Sequence, residues 1–290
     1  MDSIKISKFI RMRYPNGKIK AITFSFDDGT EQDIQLIELM KKYDLYGTFN
    51  INSGMFLPEK EKPNKKILVR RMNKSVSKKL YNDKHIEVAV HGYTHPFLDR
   101  MPKSSALWDI ILDRKTLEEI FEKPIRGMAY PFGTYNDDVI DVVKQAGIVY
   151  SRTTESSNKF DLPKNWLTLH PTCHFLDDNL YELKNEFLNI ETNQNPLLFY
   201  IWGHSFEIES QNWYNKLEEF FMDISRLENI WFATNIDIYD YTKAFESLEF
   251  SLECNYVRNP SHRSVWIYFD DWTNRKTVEI KSGETIKLAF

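Results

Sequence analysis

The segment KAITFSFDDGTEQDIQLIELMKKYDLYGTFNI, residues 20–51, decides the fold. Its apolar run Ala21–Phe26 is typical of a short buried strand, and residues 31–44 then carry large apolar side chains at helical spacing. A second strand is predicted at Tyr46–Ile51. A strand, a helix and another strand in this order form the repeating unit of a parallel sheet.

This alternation of strands and helices continues to about residue 246. Further strands are predicted at residues 86–90, 125–130, 148–152, 166–170, 197–202 and 230–234. Further helices are predicted at residues 75–82, 104–122, 136–146, 177–190 and 212–227, and residues 54–73 are an irregular insertion rich in Lys and Pro. The pattern indicates an α/β fold with about seven parallel strands, as a closed or nearly closed β/α barrel or as an open doubly wound sheet. In both folds, functional side chains gather at the carboxyl ends of the strands.

The last part of the chain has a different pattern. Val265–Phe269 and Thr277–Phe290 contain alternating apolar residues, and a Ser282-Gly283 turn interrupts the second of these segments. We therefore divide the chain into a main domain, residues 1–247, and a small β-strand appendage, residues 248–290. The appendage is expected to cover an edge or the bottom of the main domain, and a carbohydrate-contacting or dimerising role stays open.

The overall charge excludes some partners. Lys and Arg total 38 against 42 for Asp and Glu, a net charge of −4, which gives no electrostatic case for nucleic acid or an anionic membrane. The first residues, MDSIKISKFIRMRYPNGK, lack the apolar run of a signal peptide, and no stretch approaches the ~20 apolar residues of a membrane span. We expect a cytoplasmic protein without a membrane span, although removal of a leader would leave the same sequence. The oligomeric state cannot be read from the sequence.

The first motif with chemical content is SFDDGT, Ser25–Thr30. Neighbouring residues at the end of a strand point in different directions. One of the two carboxylates, Asp27 or Asp28, is therefore able to bind a metal while the other faces a bound water. A solvated turn would also account for this motif taken alone.

The second motif is HGYTH, His91–His95, directly after an apolar strand. If these residues form a helical turn, two histidines at i and i+4 lie on one side of it and chelate a single ion. Because this pair and the acid pair follow two strands of one predicted sheet, a shared metal site is favoured over two unrelated features.

Two more polar segments end predicted strands. In YPFGTYND, Tyr130–Asp137, Pro131 and Gly133 fix the backbone and leave the Phe132 N–H free to point into a site. In IWGHSFE, Ile201–Glu207, His204 ends the strand. Each segment alone is also consistent with an ordinary structural role.

Taken together, these four motifs resemble those of the polysaccharide deacetylases, the NodB-type domain of carbohydrate esterase family 4, over roughly Lys20–Glu246. The shared order is an acid pair in (T/S)-F-D-D-G, H-x-x-x-H, a P-(Y/F)-G segment and a late strand that ends in His. The resemblance implies a distorted (β/α) barrel of about seven strands and the hydrolysis of N-acetyl or similar acyl groups on a carbohydrate.

The resemblance also implies residue roles. Asp28, His91 and His95 would hold one divalent metal, which acts as a Lewis acid and lowers the pKa of a water molecule. Asp27 would be the general base, the Phe132 N–H would stabilise the oxyanion, and His204 would be the general acid. An Asp/His/His set suits Zn best among the candidates, with Co, Ni or Fe as alternatives.

The sequence departs from the family pattern at the residue that orients the base. The family has Arg two residues before the Pro of the third motif, and this chain has Ala129. What replaces that Arg is not evident, because Arg126 lies three residues away on a strand and faces the opposite side. His174 is a candidate for a missing partner in the site. The aromatic candidates for substrate contact are Tyr93, Tyr130, Tyr135 and Trp202.

Two other functions remain open at this stage. One is a metallohydrolase that acts on a non-sugar amide, and the other is a carbohydrate-binding protein with a catalytically dead site. Peptidoglycan, chitin fragments, xylan and lipid-linked sugars are all compatible with the motifs, so the glycan is not identified.

Overall fold

A computed structural model describes residues 8–192, 194–272 and 274–288. Fourteen strands are present in these ranges. In chain order they are β1 (Phe9–Arg13), β2 (Lys20–Asp27), β3 (Gly47–Ile51), β4 (Ile86–Val90), β5 (Gly127–Ala129), β6 (Tyr150–Arg152), β7 (Cys173–His174), β8 (Leu197–Gly203), β9 (Ile230–Phe232), β10 (Glu249–Phe250), β11 (Tyr256–Arg258), β12 (Val265–Asp270), β13 (Arg275–Ile280) and β14 (Thr285–Lys287).

Eight α-helices lie between or after the strands in the same ranges. They are α1 (Asp33–Lys42), α2 (Lys74–Tyr81), α3 (Lys103–Phe121), α4 (Asp137–Gln145), α5 (Leu180–Asn189), α6 (Ser205–Ser210), α7 (Tyr214–Ser225) and α8 (Asn235–Glu246). No helix in the described part of the chain is long and apolar enough to cross a membrane.

One parallel sheet organises the main domain. Its strand order is β6-β5-β4-β3-β2-β8-β7, and β9 pairs with the first half of β2. At the open side, Leu169 pairs with Arg152 of β6 shortly before the chain enters β7. The sheet therefore curls into an incomplete barrel, which confirms the predicted distorted β/α barrel of about seven parallel strands.

Between residues 20 and 247 the predicted elements differ from the structure in two places, and outside that range strands β1, β10 and β11 were not predicted. Residues 166–168 form a 3₁₀ turn that buries Trp166, and the strand begins only at Cys173, after Pro171, which has no N–H for a sheet ladder. The short helix α6 was not predicted, because it has only six residues and such a segment has little periodicity.

The two faces of the sheet differ in polarity. Phe24, Phe26, Phe49 and Ile51 belong to the large apolar cluster between the sheet and the helices. The intervening residues, which point to the opposite face, are mostly polar: Thr23, Ser25, Asp27, Thr48 and Asn50. All five are buried, so the interior of the barrel is a polar layer that must supply its own hydrogen bonds.

Glu87 on β4 is the acceptor at the centre of this layer. Its Oε2 accepts hydrogen bonds from Thr48 Oγ1 at 2.7 Å and from the Ile236 N–H at 2.9 Å, and its Oε1 accepts from Tyr150 OH at 2.6 Å. The first turn of α8 and strands β3, β4 and β6 are thereby joined inside the barrel. Burial raises the pKa of Glu87 to about 7.

The appendage packs as small antiparallel sheets. One sheet has the order β10-β11-β14, and the other has the order β1-β12-β13, so the N-terminal strand β1 completes a sheet of the appendage. The hydroxyl of Tyr241 in α8 donates to Arg13 O and accepts from the Trp266 N–H, which ties that sheet to the main domain. The division at residues 247 and 248 stays a prediction, and residues 289 and 290 of the predicted last strand lie outside the described ranges.

We predict that Glu87 makes stability depend on pH. Because the pKa of Glu87 in the folded state exceeds the ordinary 4.5, the folded state binds a proton more tightly than the unfolded state does. The contribution of Glu87 to the free energy of unfolding is therefore fully present at low pH and is lost as the pH rises toward 7. Glu87→Gln keeps an acceptor for Thr48 and Ile236 and removes the titration. The variant should match wild type in urea unfolding at about pH 5 and exceed it by roughly 1–3 kcal/mol at about pH 8.

Glu119→Gln is the matched control, because Glu119 is an exposed residue of α3. It should leave the pH profile of wild type unchanged. An equal stability difference between Glu87→Gln and wild type at both pH values would show that Glu87 does not titrate in this range.

Candidate active site

The acid pair sits on a tight turn at the carboxyl end of β2. Asp27 is the last residue of the strand, and Asp28 and Gly29 follow with φ of 81° and 61°. An aspartate tolerates this left-handed conformation at a cost that the surrounding structure must offset. The Asp28 N–H donates to Asn50 O at 2.9 Å, which continues the pairing with β3 and fixes the turn.

The histidine pair also comes from an irregular segment, so the predicted helical turn is wrong. Gly92 has φ of 76° and His95 has φ of 54°, and neither value is helical. The two imidazole rings nevertheless come together, with centroids 4.8 Å apart. The positive φ angles of the loop bring the two histidine side chains together, as the periodicity of a helical turn would have done.

Two buried carboxylates on α3 hold this loop. Asp109 accepts from the N–H groups of Tyr93 and Thr94 at 2.8 and 3.1 Å, and Asp113 accepts from the His91 N–H at 3.0 Å. Asp113 also accepts from the N–H of Ser53 at 2.7 Å. Sequence reasoning missed both residues; the available signal was a pair of acids at i and i+4 on an otherwise apolar helix face.

Asp28, His91 and His95 meet the requirements of a metal site. Each offers one ligand atom, and these atoms lie within 4.8 Å of one another. His91 Nδ1 lies 2.9 Å from Ala129 O, so Nδ1 carries the proton and Nε2 keeps a free lone pair. Burial lowers the pKa of His91, and burial, with a smaller effect of the neighbouring His91, lowers the pKa of His95 to about 4. Both imidazoles are therefore neutral near pH 7, the form that ligates a metal.

Arg71 of the 54–73 insertion supports the carboxylate of Asp28, the candidate metal ligand. Its Nη2 lies 3.0 Å from Asp28 Oδ1, its Nη1 donates to Asp28 O, and Nη1 lies 3.1 Å from Asn52 Oδ1. Asn52 in turn donates to the carbonyl oxygens of His91 and Gly92 at 2.5 and 2.9 Å. The insertion is therefore part of the scaffold that joins the two predicted metal-binding loops.

Asp27 lies next to this cluster as a deeply buried carboxylate. Its Oδ2 is 3.7 Å from His91 Nε2 and 3.9 Å from His204 Nε2, and its Oδ1 accepts from Asn50 Nδ2 at 2.8 Å. Burial alone would raise the pKa of Asp27, but an ion pair with Arg152 and the nearby histidines outweigh it and hold the pKa well below its usual range. Asp27 is therefore ionised at neutral pH although only 2% of it is exposed.

Arg152 occupies the position that Ala129 leaves vacant. The two residues are direct neighbours in the pairing of β5 with β6, so a guanidinium at the end of the next strand reaches the same space. Its planar group lies over the Trp202 ring, 4.3 Å from the centroid. Sequence analysis missed Arg152, although its place as the last residue of a predicted strand was a usable signal.

His204 is the end point of a second hydrogen-bonded group. Its Nδ1 lies 3.0 Å from Glu207 Oε2, and His174 Nε2 lies 3.0 Å from the same oxygen. Burial would lower the pKa of His204, but the hydrogen bond to Glu207 and the charge of Asp27 raise it above its ordinary value. Glu207, three residues after His204, was not predicted from the sequence as a site residue. His174 was a candidate for a partner in the site, and the structure places it there.

His174, His204 and Glu207 also lie close enough together to suggest a second metal site. The hydrogen bonding of His174 argues against one. Its Nδ1 accepts from the Leu176 N–H at 3.1 Å, so the proton of the neutral ring is on Nε2 and is donated to Glu207. We therefore interpret this group as a hydrogen-bonded chain that ends at His204.

Phe132 lies beside the histidine pair. Phe132 has φ of 57°, its ring centroid is 4.3 Å from that of His95, and no described residue accepts a hydrogen bond from its N–H. The ring stacks on Phe97 with centroids 3.8 Å apart and is 50% exposed. A free N–H and an aromatic platform therefore lie beside the histidine pair.

The aromatic candidates for substrate contact fall into two groups. Tyr130 is fully buried, and its OH donates to Leu167 O at 2.8 Å, so it is an interior residue and offers no surface to a substrate. Tyr93, Tyr135 and Trp202 are partly buried. Trp202 packs against Arg152 and against the rings of His174 and His204, which gives it a supporting position under the site.

Comparison with known families gives one match in sequence. Residues 14–151 match the family model described as polysaccharide deacetylase. This stretch includes Asp27, Asp28, His91 and His95 and ends just before Arg152. No curated protein matches the chain in sequence.

Solved structures share the fold. A putative polysaccharide deacetylase from Mycobacterium smegmatis aligns with a TM-score of 0.55 and 14% identity over 81% of this chain and 94% of that one. A mutant form of the peptidoglycan deacetylase PdaC from Bacillus subtilis aligns with a TM-score of 0.50 and 18% identity over 81% of this chain and 96% of that one. The Xyl-CE4 domain of a multidomain xylanase from the hindgut metagenome of Trinervitermes trinervoides aligns with a TM-score of 0.50 and 14% identity over 78% of this chain and 92% of that one. The chain covers only 44% of the length of two other structures that it resembles. Sequence identities as low as those to the three named structures show only that the fold is shared.

We predict that Asp113 sets metal affinity without touching the metal. In Asp113→Asn an amide N–H would face the N–H of His91 or of Ser53, so the loop would lose one of its fixed points. Zinc affinity, measured by competition with a chelator, should fall about 10- to 100-fold. Asp141→Asn, at an exposed residue of α4, should leave it unchanged. Wild-type affinity in a folded Asp113→Asn variant would contradict the role.

Proposed function

We propose that the chain, which matches the polysaccharide deacetylase family model over residues 14–151, is a divergent member of that family and hydrolyses an N-acetyl or similar N-acyl group on a carbohydrate. The observation that carries the proposal is the placement of Asp27. Its carboxylate lies between His91, a candidate metal ligand, and His204, a candidate acid, at 3.7 and 3.9 Å.

Asp28, His91 and His95 would hold one divalent metal. Zinc is our first choice, because one carboxylate and two neutral imidazoles suit it, and Co, Ni or Fe would also fit this donor set. When bound, the metal would supply Lewis-acid activation of water and of the acyl carbonyl group.

Asp27 would take the proton from the attacking water. Arg152 and Asn50 hold its two oxygens, so the carboxylate keeps one orientation and stays ionised inside the protein. Its low affinity for a proton makes Asp27 a weak base, which suffices only for a water that has been made acidic.

His204 would return a proton to the leaving nitrogen. An amide needs this step, because an amine anion is a very poor leaving group. Glu207 favours the protonated imidazole and orients the ring through Nδ1, which leaves Nε2 directed toward Asp27. His174 holds Glu207 from its other side.

The remaining groups would bind the substrate. The Phe132 N–H would donate to the oxyanion, as the unpartnered donor next to the histidine pair. The Phe97–Phe132 stack is a flat apolar surface of the kind on which the C–H face of a sugar ring packs, and Tyr93 and Tyr135 are further candidates for contact.

The experiment that tests the proposal is acetate release from N-acetylglucosamine oligomers by the zinc-loaded protein. Asp27→Asn should lower kcat by about 10²- to 10⁴-fold and keep the metal, because Asp27 is the base and not a ligand. Asp141→Asn is the matched control on the surface, and it should retain wild-type turnover.

The other outcomes assign the protein to a different class. Turnover of simple amides but of no amino sugar would make it a metallohydrolase for non-sugar substrates. A bound metal with no turnover of any acylated substrate would contradict hydrolysis and leave a carbohydrate-binding role.

A further inference from the structure

One segment of the chain has a large local excess of basic over acidic residues. Residues 58–84, which we call the basic segment, contain eight lysines and two arginines against three acids, a formal charge of +7 in a chain whose net charge is −4. The net charge of the whole chain averages over this asymmetry and conceals it. A local basic surface is an electrostatic footprint for a negatively charged partner.

The basic segment forms a connected surface made of a loop and the helix α2. The Leu57 N–H donates to Met72 O at 2.9 Å, and Glu59 accepts from the Ser75 N–H at 3.1 Å, so the start of the loop is tied to the start of α2. Most of its lysines have no carboxylate within 4 Å among the described residues. These unpaired lysines are Lys60, Lys62, Lys66, Lys74, Lys79 and Lys84.

Two aliphatic side chains stand out next to these lysines. Ile67 and Leu68 directly follow Lys65 and Lys66, and each is 50% exposed. Charge alone would be enough to bind a soluble polyanion. Neighbouring lysines and exposed aliphatic residues together are typical of a surface that enters the headgroup region of an anionic membrane.

The basic segment borders the active site. Gln32 Nε2 donates to Leu68 O at 2.7 Å, and Arg71 lies at the other end of the loop beside Asp28, 3.0 Å from its Oδ1. Anything bound by Lys65–Leu68 is therefore held close to the mouth of the site.

We propose that the basic segment binds the surface of an anionic membrane and presents the active site to acylated sugars anchored there. The choice of substrate rests on the proposed function, whereas membrane contact is independent of catalysis. A vesicle-binding measurement detects membrane contact alone, so the membrane proposal can fail while the proposed deacetylase activity stands, and the reverse is equally possible.

The test is co-sedimentation of the full chain with vesicles of phosphatidylcholine alone or mixed with phosphatidylglycerol. Wild type should bind only the mixed vesicles and should be released by high salt. Each lysine should contribute about fivefold to the binding constant, so Lys60→Ser/Lys62→Ser/Lys66→Ser should weaken binding on the order of a hundredfold. The same change at three exposed lysines elsewhere, Lys115, Lys144 and Lys243, is the matched control and should have a much smaller effect.

The aliphatic pair provides the second comparison. Ile67→Ser/Leu68→Ser should weaken vesicle binding at least tenfold, whereas Trp108→Ser, at a residue of α3 that is 65% exposed, should not. Failure of wild type to bind the mixed vesicles would overturn the proposal. Loss of vesicle binding in the lysine variant but not in the aliphatic variant would contradict the role of Ile67 and Leu68, because charge alone would then account for membrane contact.

Discussion

The site depends on one constraint, the burial of an ionised carboxylate at Asp27. A charge removed from water is costly unless other groups replace the hydration, and here Arg152 and Asn50 do so. Arg152 must then be buried as well, and Trp202 covers its face. The polar interior of the barrel, with Ser25 and Asn50 next to Asp27, is the consequence of keeping this charge inside.

Much of the fold was predictable because its elements have strong periodicity. Strands β2, β3 and β4 and helices α1 and α3 lie within a few residues of their predicted positions. The errors fall where periodicity is absent. The segment around Trp166 is anchored by a single buried side chain, and β1 finds its partner β12 more than two hundred residues away, a pairing that no local pattern reveals.

The candidate site was predictable only in part, for a similar reason. Motifs that are contiguous in sequence, such as the acid pair and the histidine pair, identified the residues that the structure brings together as a candidate metal-binding cluster. Arg152 and Asp113 act from other elements of the barrel, so their contribution depends on strand neighbours and on a helix face rather than on a motif. Asp113 holds the His91 N–H from α3, and the loop that follows has positive φ at Gly92 and His95, which is why a helical turn was the wrong expectation for the histidines.

The proposed function requires that Asp28, His91 and His95 hold one metal ion. The most direct measurement is the metal content of the purified protein beside that of His91→Ala, with circular dichroism to show that both are folded. The account predicts about one transition-metal ion per wild-type chain and its loss in the variant. A wild-type protein that binds no metal even after reconstitution with zinc, or a variant that keeps it, would contradict the account.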